Sequence, residues 1–161
     1  MLADDVLRRI DDLQLAYIDA LDSKHMAGWL AAFDEAAAEY YVIPREHVED
    51  GLPLSLLHDD CRARLLDRVN FIEKVWAGIY EDYQTRHFVQ RVRAQAADAP
   101  GEYEVRSNLS VMYTDGDGHA HVLAVGTYED RVRVGQGEAR FVRKRVVLDN
   151  FTTPRYIVYP L

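Results

Sequence analysis

Cysteine is nearly absent: Cys61 is the single one in 161 residues, which excludes an internal disulfide. A reducing compartment fits that usage. No apolar run approaches the length of a membrane span, and the opening "MLADDVLRRIDD" has acids where a secretory signal wants a basic start and an apolar stretch. The expected location is the cytoplasm. Basic residues are in deficit, 19 against 27 acidic ones, and the net charge of -8 repels a phosphate backbone, so nucleic acid is set aside. Glycine-rich phosphate loops are also missing. The stretches "GDG" and "GQG" lie between strand-like runs instead of ahead of a helix, which leaves nucleotide binding without support.

What remains is globular composition, 48% hydrophobic and 29% charged, in one expected domain over residues 1–161. Val6, Leu7, Ile10, Leu13, Tyr17, Ile18 and Leu21 recur at helical spacing behind the cap candidates Asp4 and Asp5. A second, short helix is expected from a Ser23 cap through Trp29 and Phe33, then a strand over residues 38–43 stopped by Pro44. The loop "PREHVEDGLPL" leads to a third helix from about Asp59 and Asp60, with Leu65, Val69, Ile72, Trp76 and Ile79 as its buried stripe. From Thr85 the period becomes two, in four long runs joined by "DAPG", "TDGDG" and "GQG". Helices first and strands later predict an α+β fold: three N-terminal helices packed on a long, curved, mostly antiparallel sheet that closes into a cone.

Several groups are candidates for chemistry, each beside a plainer role. His119 and His121 stand two apart in a predicted strand, a geometry that suits a metal, but no third ligand accompanies them and solvated histidines are common beside such a hairpin. His25 and His58 lie near helix starts and read as surface or capping residues. His87, with Tyr17, Asp34 or Tyr40 facing the cone, would form an acid and base set for dehydration or isomerisation; the alternative is a hydrogen-bonded histidine at the sheet rim. Cys61 falls in the expected first turns of the third helix, without an activating partner, and reads as a small packing residue.

The run "ARFVRKRVVLDN" poses a separate question, because Arg143, Lys144 and Arg145 put charge on both faces of one strand. If Gln136 and Gly137 make a two-residue turn, Glu129 lies opposite Lys144 and Asp130 opposite Arg143. A one-residue bulge would instead set Glu129 against Arg143. Solvated cross-strand pairs explain much of the charge, and contact with another subunit would explain the rest. Arg143 and Arg145 are therefore interface candidates, and Arg45, Glu46 and His47 join them from the polar loop after Pro44.

The segments "WLAAF", "GLPLSLLHDDCRARLLDRVNFIEKVWAG", "TRHFVQRV", "VRSNLSVMYT", "FVRKRVVLD" and "RYIVYPL" together resemble the small (β) subunit of Rieske-type aromatic-ring-hydroxylating dioxygenases. "GLPL", "DDC" and the closing "YPL" are most similar to the anthranilate and salicylate oxygenase small subunits. The resemblance implies the cystatin-like or NTF2-like cone that the periodicity also predicts. It implies a non-catalytic subunit that stabilises a large α subunit, in some members tuning substrate preference, in an α3β3 hexamer with self-association into a trimer. The Rieske 2Fe–2S cluster and mononuclear iron are then expected in the α subunit, with no cofactor in this chain. One cysteine cannot supply the two that a Rieske centre needs. A stand-alone isomerase, dehydratase or cyclase built on the same cone is the alternative, with His87, Tyr17 and Asp34 as its site.

Overall fold

A computed structural model describes residues 2–150 and 152–161. Helix α1 (Asp4–Asp22) follows the expected period and turns Ile10, Leu13, Tyr17, Ala20 and Leu21 into the interior. Asp4 and Asp5 sit in its first turn, where their charge suits the helix dipole, while Ala3 occupies the cap position. Helix α2 (Met26–Ala31) is shorter than expected and is not capped by Ser23. The Ser23 hydroxyl instead donates to the Asp19 carbonyl at 2.7 Å, closing the end of α1.

Strand β1 (Glu39–Pro44) lies within one residue of its expected limits. The loop beyond it holds two elements that the pattern did not predict, the five-residue α3 (Arg45–Glu49) and the three-residue β2 (Leu57–Asp59). Both are too short to show a period. Helix α4 (Arg62–Asn70) starts later than expected, because Asp59 belongs to β2, and widens into a π-helical segment, Phe71–Val75. Leu65, Val69 and Ile72 are buried, but Ile79 is 77% exposed. The wider turn breaks the 3.6-residue phase, and Gly78, with φ of +78°, ends the helical path before Ile79.

Strands β3 (Gln84–Ala96), β4 (Glu102–Thr114), β5 (Ala120–Val134) and β6 (Ala139–Leu148) form the expected antiparallel meander. Strand β1 then joins β6 in parallel, giving the sheet order β2-β1-β6-β5-β4-β3. The inner face packs on the helices, and one hydrophobic cluster runs from Ile10 through the strands to Leu161. The fold class is thus α+β, with N-terminal helices over a mostly antiparallel sheet.

The β5–β6 hairpin begins in the register that a Gln136–Gly137 turn dictates, with Val134 opposite Ala139 and Val132 opposite Phe141. Val142 is then an extra residue in β6, and beyond it Arg131 faces Arg143, Asp130 faces Lys144 and Glu129 faces Arg145. Neither expected set of charge pairs occurs. The bulge lies on β6, whereas Glu129 against Arg143 would require the extra residue on β5. Phe141 is held in place on its other side, its N–H donating to the Ala32 carbonyl at 2.9 Å and its carbonyl accepting from the Asp34 N–H at 2.9 Å.

Candidate functional site

The bulge selects which of the three cations enters the cone. Ala139 and Phe141 point inward by the strand's alternation, Val142 and Arg143 both stay outside, and Lys144, Val146 and Leu148 point inward. Lys144 is completely sealed and donates to Asp130 Oδ2 at 2.9 Å and Gln14 Oε1 at 3.0 Å. Its ammonium lies 3.4 Å from the ring centre of Tyr128, 4.3 Å from Phe141 and 4.4 Å from Tyr17. Burial pulls the ammonium down to about 8, and burial pushes the Asp130 carboxyl up from its ordinary value. The rings and the single carboxylate replace part of the lost hydration.

Around this pair the interior is filled by aromatic edge contacts. Tyr17 meets Phe33, Tyr128 and Phe141 at centroid distances of 6.2, 6.1 and 5.3 Å, and Trp29 meets Tyr40 at 5.5 Å. The tail enters from the other side. Tyr17 Oη donates to the Leu161 main-chain oxygen at 2.8 Å, Tyr40 Oη accepts from the Leu161 N–H at 2.9 Å, and Tyr83 Oη accepts from the Val158 N–H at 3.2 Å. Burial raises all three phenols, which keeps them neutral while they serve the tail's backbone.

His87 lies at the inner face of β3, its side chain almost fully enclosed, and pairs through Nδ1 with Asp22 Oδ1 at 2.6 Å. Asp22, at the end of α1, also accepts the His87 N–H at 3.0 Å and the Thr85 hydroxyl at 2.9 Å. Burial pulls this carboxyl upward, but the hydrogen bonds from His87 and Thr85 outweigh it and hold the carboxyl below its usual range. The partner found for His87 is therefore Asp22, not Tyr17 or Asp34. Asp34 binds the Ala36 and Ala37 N–H groups at 3.0 Å and Arg133 at 2.6 Å, and Tyr17 is tied to Leu161. A His–Asp dyad is able to shuttle a proton, and here it fastens the end of α1 to β3. Asp22 gave no signal in the sequence, since it is one acid among several on α1. Alternation left Lys144 undecided: counting back from Val146 and Leu148 in steps of two reaches it, but counting forward from Ala139 and Phe141 reaches Arg143, and only the bulge resolves the two.

The remaining candidates lie outside the cone. His121 Nε2 pairs with Asp115 Oδ2 at 2.7 Å and its ring stacks on Tyr113, while His119 lies 3.8 Å from Asp115. Among the described residues no group of three or more His, Cys, Asp or Glu side chains is placed to hold a metal. His58 pairs with Glu39 at 3.0 Å, and His25 precedes α2 without making a side-chain cap. Cys61 precedes α4 and is exposed, so it is not the packing residue that was expected. Arg145 binds Glu129 at 2.8 Å, Arg143 reaches Glu104 at 3.4 Å, and Arg45 pairs with Asp149. His47 bonds the Leu54 carbonyl at 2.7 Å and lies 3.8 Å from Glu46. No described helix is long and apolar enough to cross a membrane.

Residues 18–155 match the model of the ring hydroxylating beta subunit family. The chain is 31% identical over 149 residues to the small subunit of anthranilate 1,2-dioxygenase from Burkholderia cepacia, covering 92% of this chain and 90% of that one. It is 34% identical over 145 residues to the small oxygenase component of the p-cumate 2,3-dioxygenase system from Pseudomonas putida, covering 87% and 77%. A crystal structure of a β subunit assigned to an aromatic-ring-hydroxylating dioxygenase of Novosphingobium aromaticivorans superposes with a TM-score of 0.83 at 25% identity, over 96% of this chain and 95% of that one. Matches that run nearly end to end lead to one conclusion: the chain belongs to the family of small (β) subunits of ring-hydroxylating dioxygenases.

Proposed function

We propose that this chain is the non-catalytic partner of a large dioxygenase subunit acting on an aromatic acid of the anthranilate or salicylate type. The observation that carries the proposal is the 31% identity to the anthranilate 1,2-dioxygenase small subunit over nine-tenths of both chains. The large subunit carries the Rieske cluster and the mononuclear iron. Cys61 is the single cysteine of this chain, one short of the two that a Rieske centre takes. Three such pairs assemble as an α3β3 hexamer in the cytoplasm, with the small subunits also touching one another. The role is scaffolding, and a rigid, aromatic-filled core serves it by presenting a fixed surface.

Co-expression with the large subunit of the same oxygenase tests this reading. The two chains are expected to co-purify, with light scattering giving the mass of three αβ pairs, and the complex is expected to oxidise an aromatic acid when supplied with reductant. The small chain expressed alone should be colourless and inactive. Turnover of a small substrate by the isolated chain would overturn the assignment.

A further inference from the structure

The outer face of the sheet divides into two halves. On β5 and β6, Arg131, Arg133, Arg143 and Arg145 all have carboxylates of this chain within reach, namely Glu102, Asp34, Glu104 and Glu129. On β3 and β4, Arg86, Arg93 and Arg106 have no ion-pair partner among the described residues. Arg86 donates to the Thr85 carbonyl at 2.9 Å, and Arg93 donates to the Gln95 amide oxygen at 3.0 Å. Strand β3 has no acidic residue along its whole length. It is also an edge strand, so its outer side carries no neighbour.

The positions of these arginines are costly. Arg93 is the register partner of Arg106, so two like charges face each other directly. The nearest carboxylates are already engaged: Glu129 stands opposite Arg106 but binds Arg145 at 2.8 Å, and Glu104 lies 3.4 Å from Arg143. A cleft of about 530 Å³ opens here, with Val92, Arg93, Arg106 and Arg143 on its wall beside the engaged Glu104 and Glu129. Farther along the same face, Phe88, Ser110 and Val125 form one cross-strand row and Arg86, Met112 and Val122 the next. Phe88 is 62% exposed, and Val92 and Val125 are exposed as well. An apolar centre bracketed by arginines without counter-ions is the composition of an interface core, not of a solvated face.

We infer that the outer face of β3 and β4, centred on Phe88 and the Arg93–Arg106 cleft, receives a carboxylate-bearing surface of the large subunit. The inference rests on the large-subunit reading above. A second copy meeting this face symmetrically would set Arg86, Arg93 and Arg106 against themselves, with no free carboxylate to relieve them. A partner carboxylate in the cleft would neutralise the Arg93–Arg106 pair, and an apolar side chain would cover Phe88.

The test uses the full chain co-expressed with its large subunit, comparing wild type, Arg93→Glu with Arg106→Glu, Phe88→Asp, and the exposed control Arg64→Glu on α4. Wild type and control should bind alike, while the double reversal and Phe88→Asp should each weaken association by about tenfold or more. Binding should also weaken as salt rises, and thermal melts should show each variant folded. A wild-type chain that fails to bind the large subunit overturns the partner reading, and this inference with it. A wild-type complex that both surface variants form equally well overturns the docking face alone. Loss of self-association in the lone chain, with large-subunit binding retained, also overturns it by assigning the face to a second copy.

Discussion

Lys144 and Arg145 are neighbours in sequence and occupy opposite environments. Lys144 is sealed among three aromatic rings with Asp130 as its one counter-ion, whereas Arg145 lies on the outer face, part-exposed, against Glu129. The two hydrogen-bond distances are nearly equal, 2.9 and 2.8 Å. Their energetic weights should not be. A buried charge stripped of its partner keeps its desolvation cost, while an exposed one is rehydrated. Arg93 and Arg106 make a third case, more exposed than Arg145 and without an ion-pair carboxylate among the described residues.

The largest expected effect comes from breaking the inner pair from the acid side. Asp130→Ala should destabilise the protein by about 3–5 kcal/mol, read by urea denaturation, because Lys144 loses its counter-ion and must either keep the desolvation cost of its charge or give up its proton. The double replacement Asp130→Leu with Lys144→Met should recover most of that loss. If the double variant is as unstable as the single one, the aromatic box depends on the ion pair for more than charge balance.

A pH series sharpens the same contrast. The Lys144 ammonium falls from an ordinary 10.5 to about 8 in the folded protein, so between those values the unfolded chain binds the extra proton. Stability relative to Lys144→Met should therefore rise as pH increases from about 8 toward 10.5. Burial raises the carboxyl of Asp130, the charged group facing Lys144, and holds the neighbouring Tyr17 and Tyr128 phenols well above their ordinary value of 10.0. No change in the difference over this range would place the ammonium in contact with water.

On the outer face the pH dependence has the opposite origin. Burial works to raise Glu102, but the hydrogen bonds from Arg131 and Arg133 prevail and hold its carboxyl below the usual range. Its contribution should be complete above an ordinary glutamate value and disappear as pH falls through the lower folded one. Glu102→Gln should thus lose stability at neutral pH and approach wild type in acid, as measured by denaturation midpoints. Arg145→Ala should have the smallest effect, about 0.2–1 kcal/mol in the same assay, since its ion pair with Glu129 is part-exposed.

Much of this architecture was legible from periodicity. Helix α1 declares itself through its apolar spacing, and β3 to β6 through alternation bounded by glycine turns, because both patterns are long enough to repeat. The short α3 and β2 repeat nothing, and the π-helical turn shifts the phase that predicted a buried Ile79. The closure of the interior by the tail left no such pattern. The bonds from Tyr17, Tyr40 and Tyr83 to the tail's backbone join residues 75 or more positions apart, and spacing along the chain says nothing about such meetings.

The sequence by itself determined that a turn at "GQG" joins two strands and that three cations follow in the second of them. Only the tertiary structure decided which cation goes inside. Side chains alternate with a period of two, so one extra residue at Val142 exchanges the faces of everything after it. Helix α1 and the rings of Tyr17 and Tyr128 supply the box, the Ala32 and Asp34 backbone holds Phe141 in place, and the bulge delivers Lys144 to Asp130 while Arg143 and Arg145 stay outside.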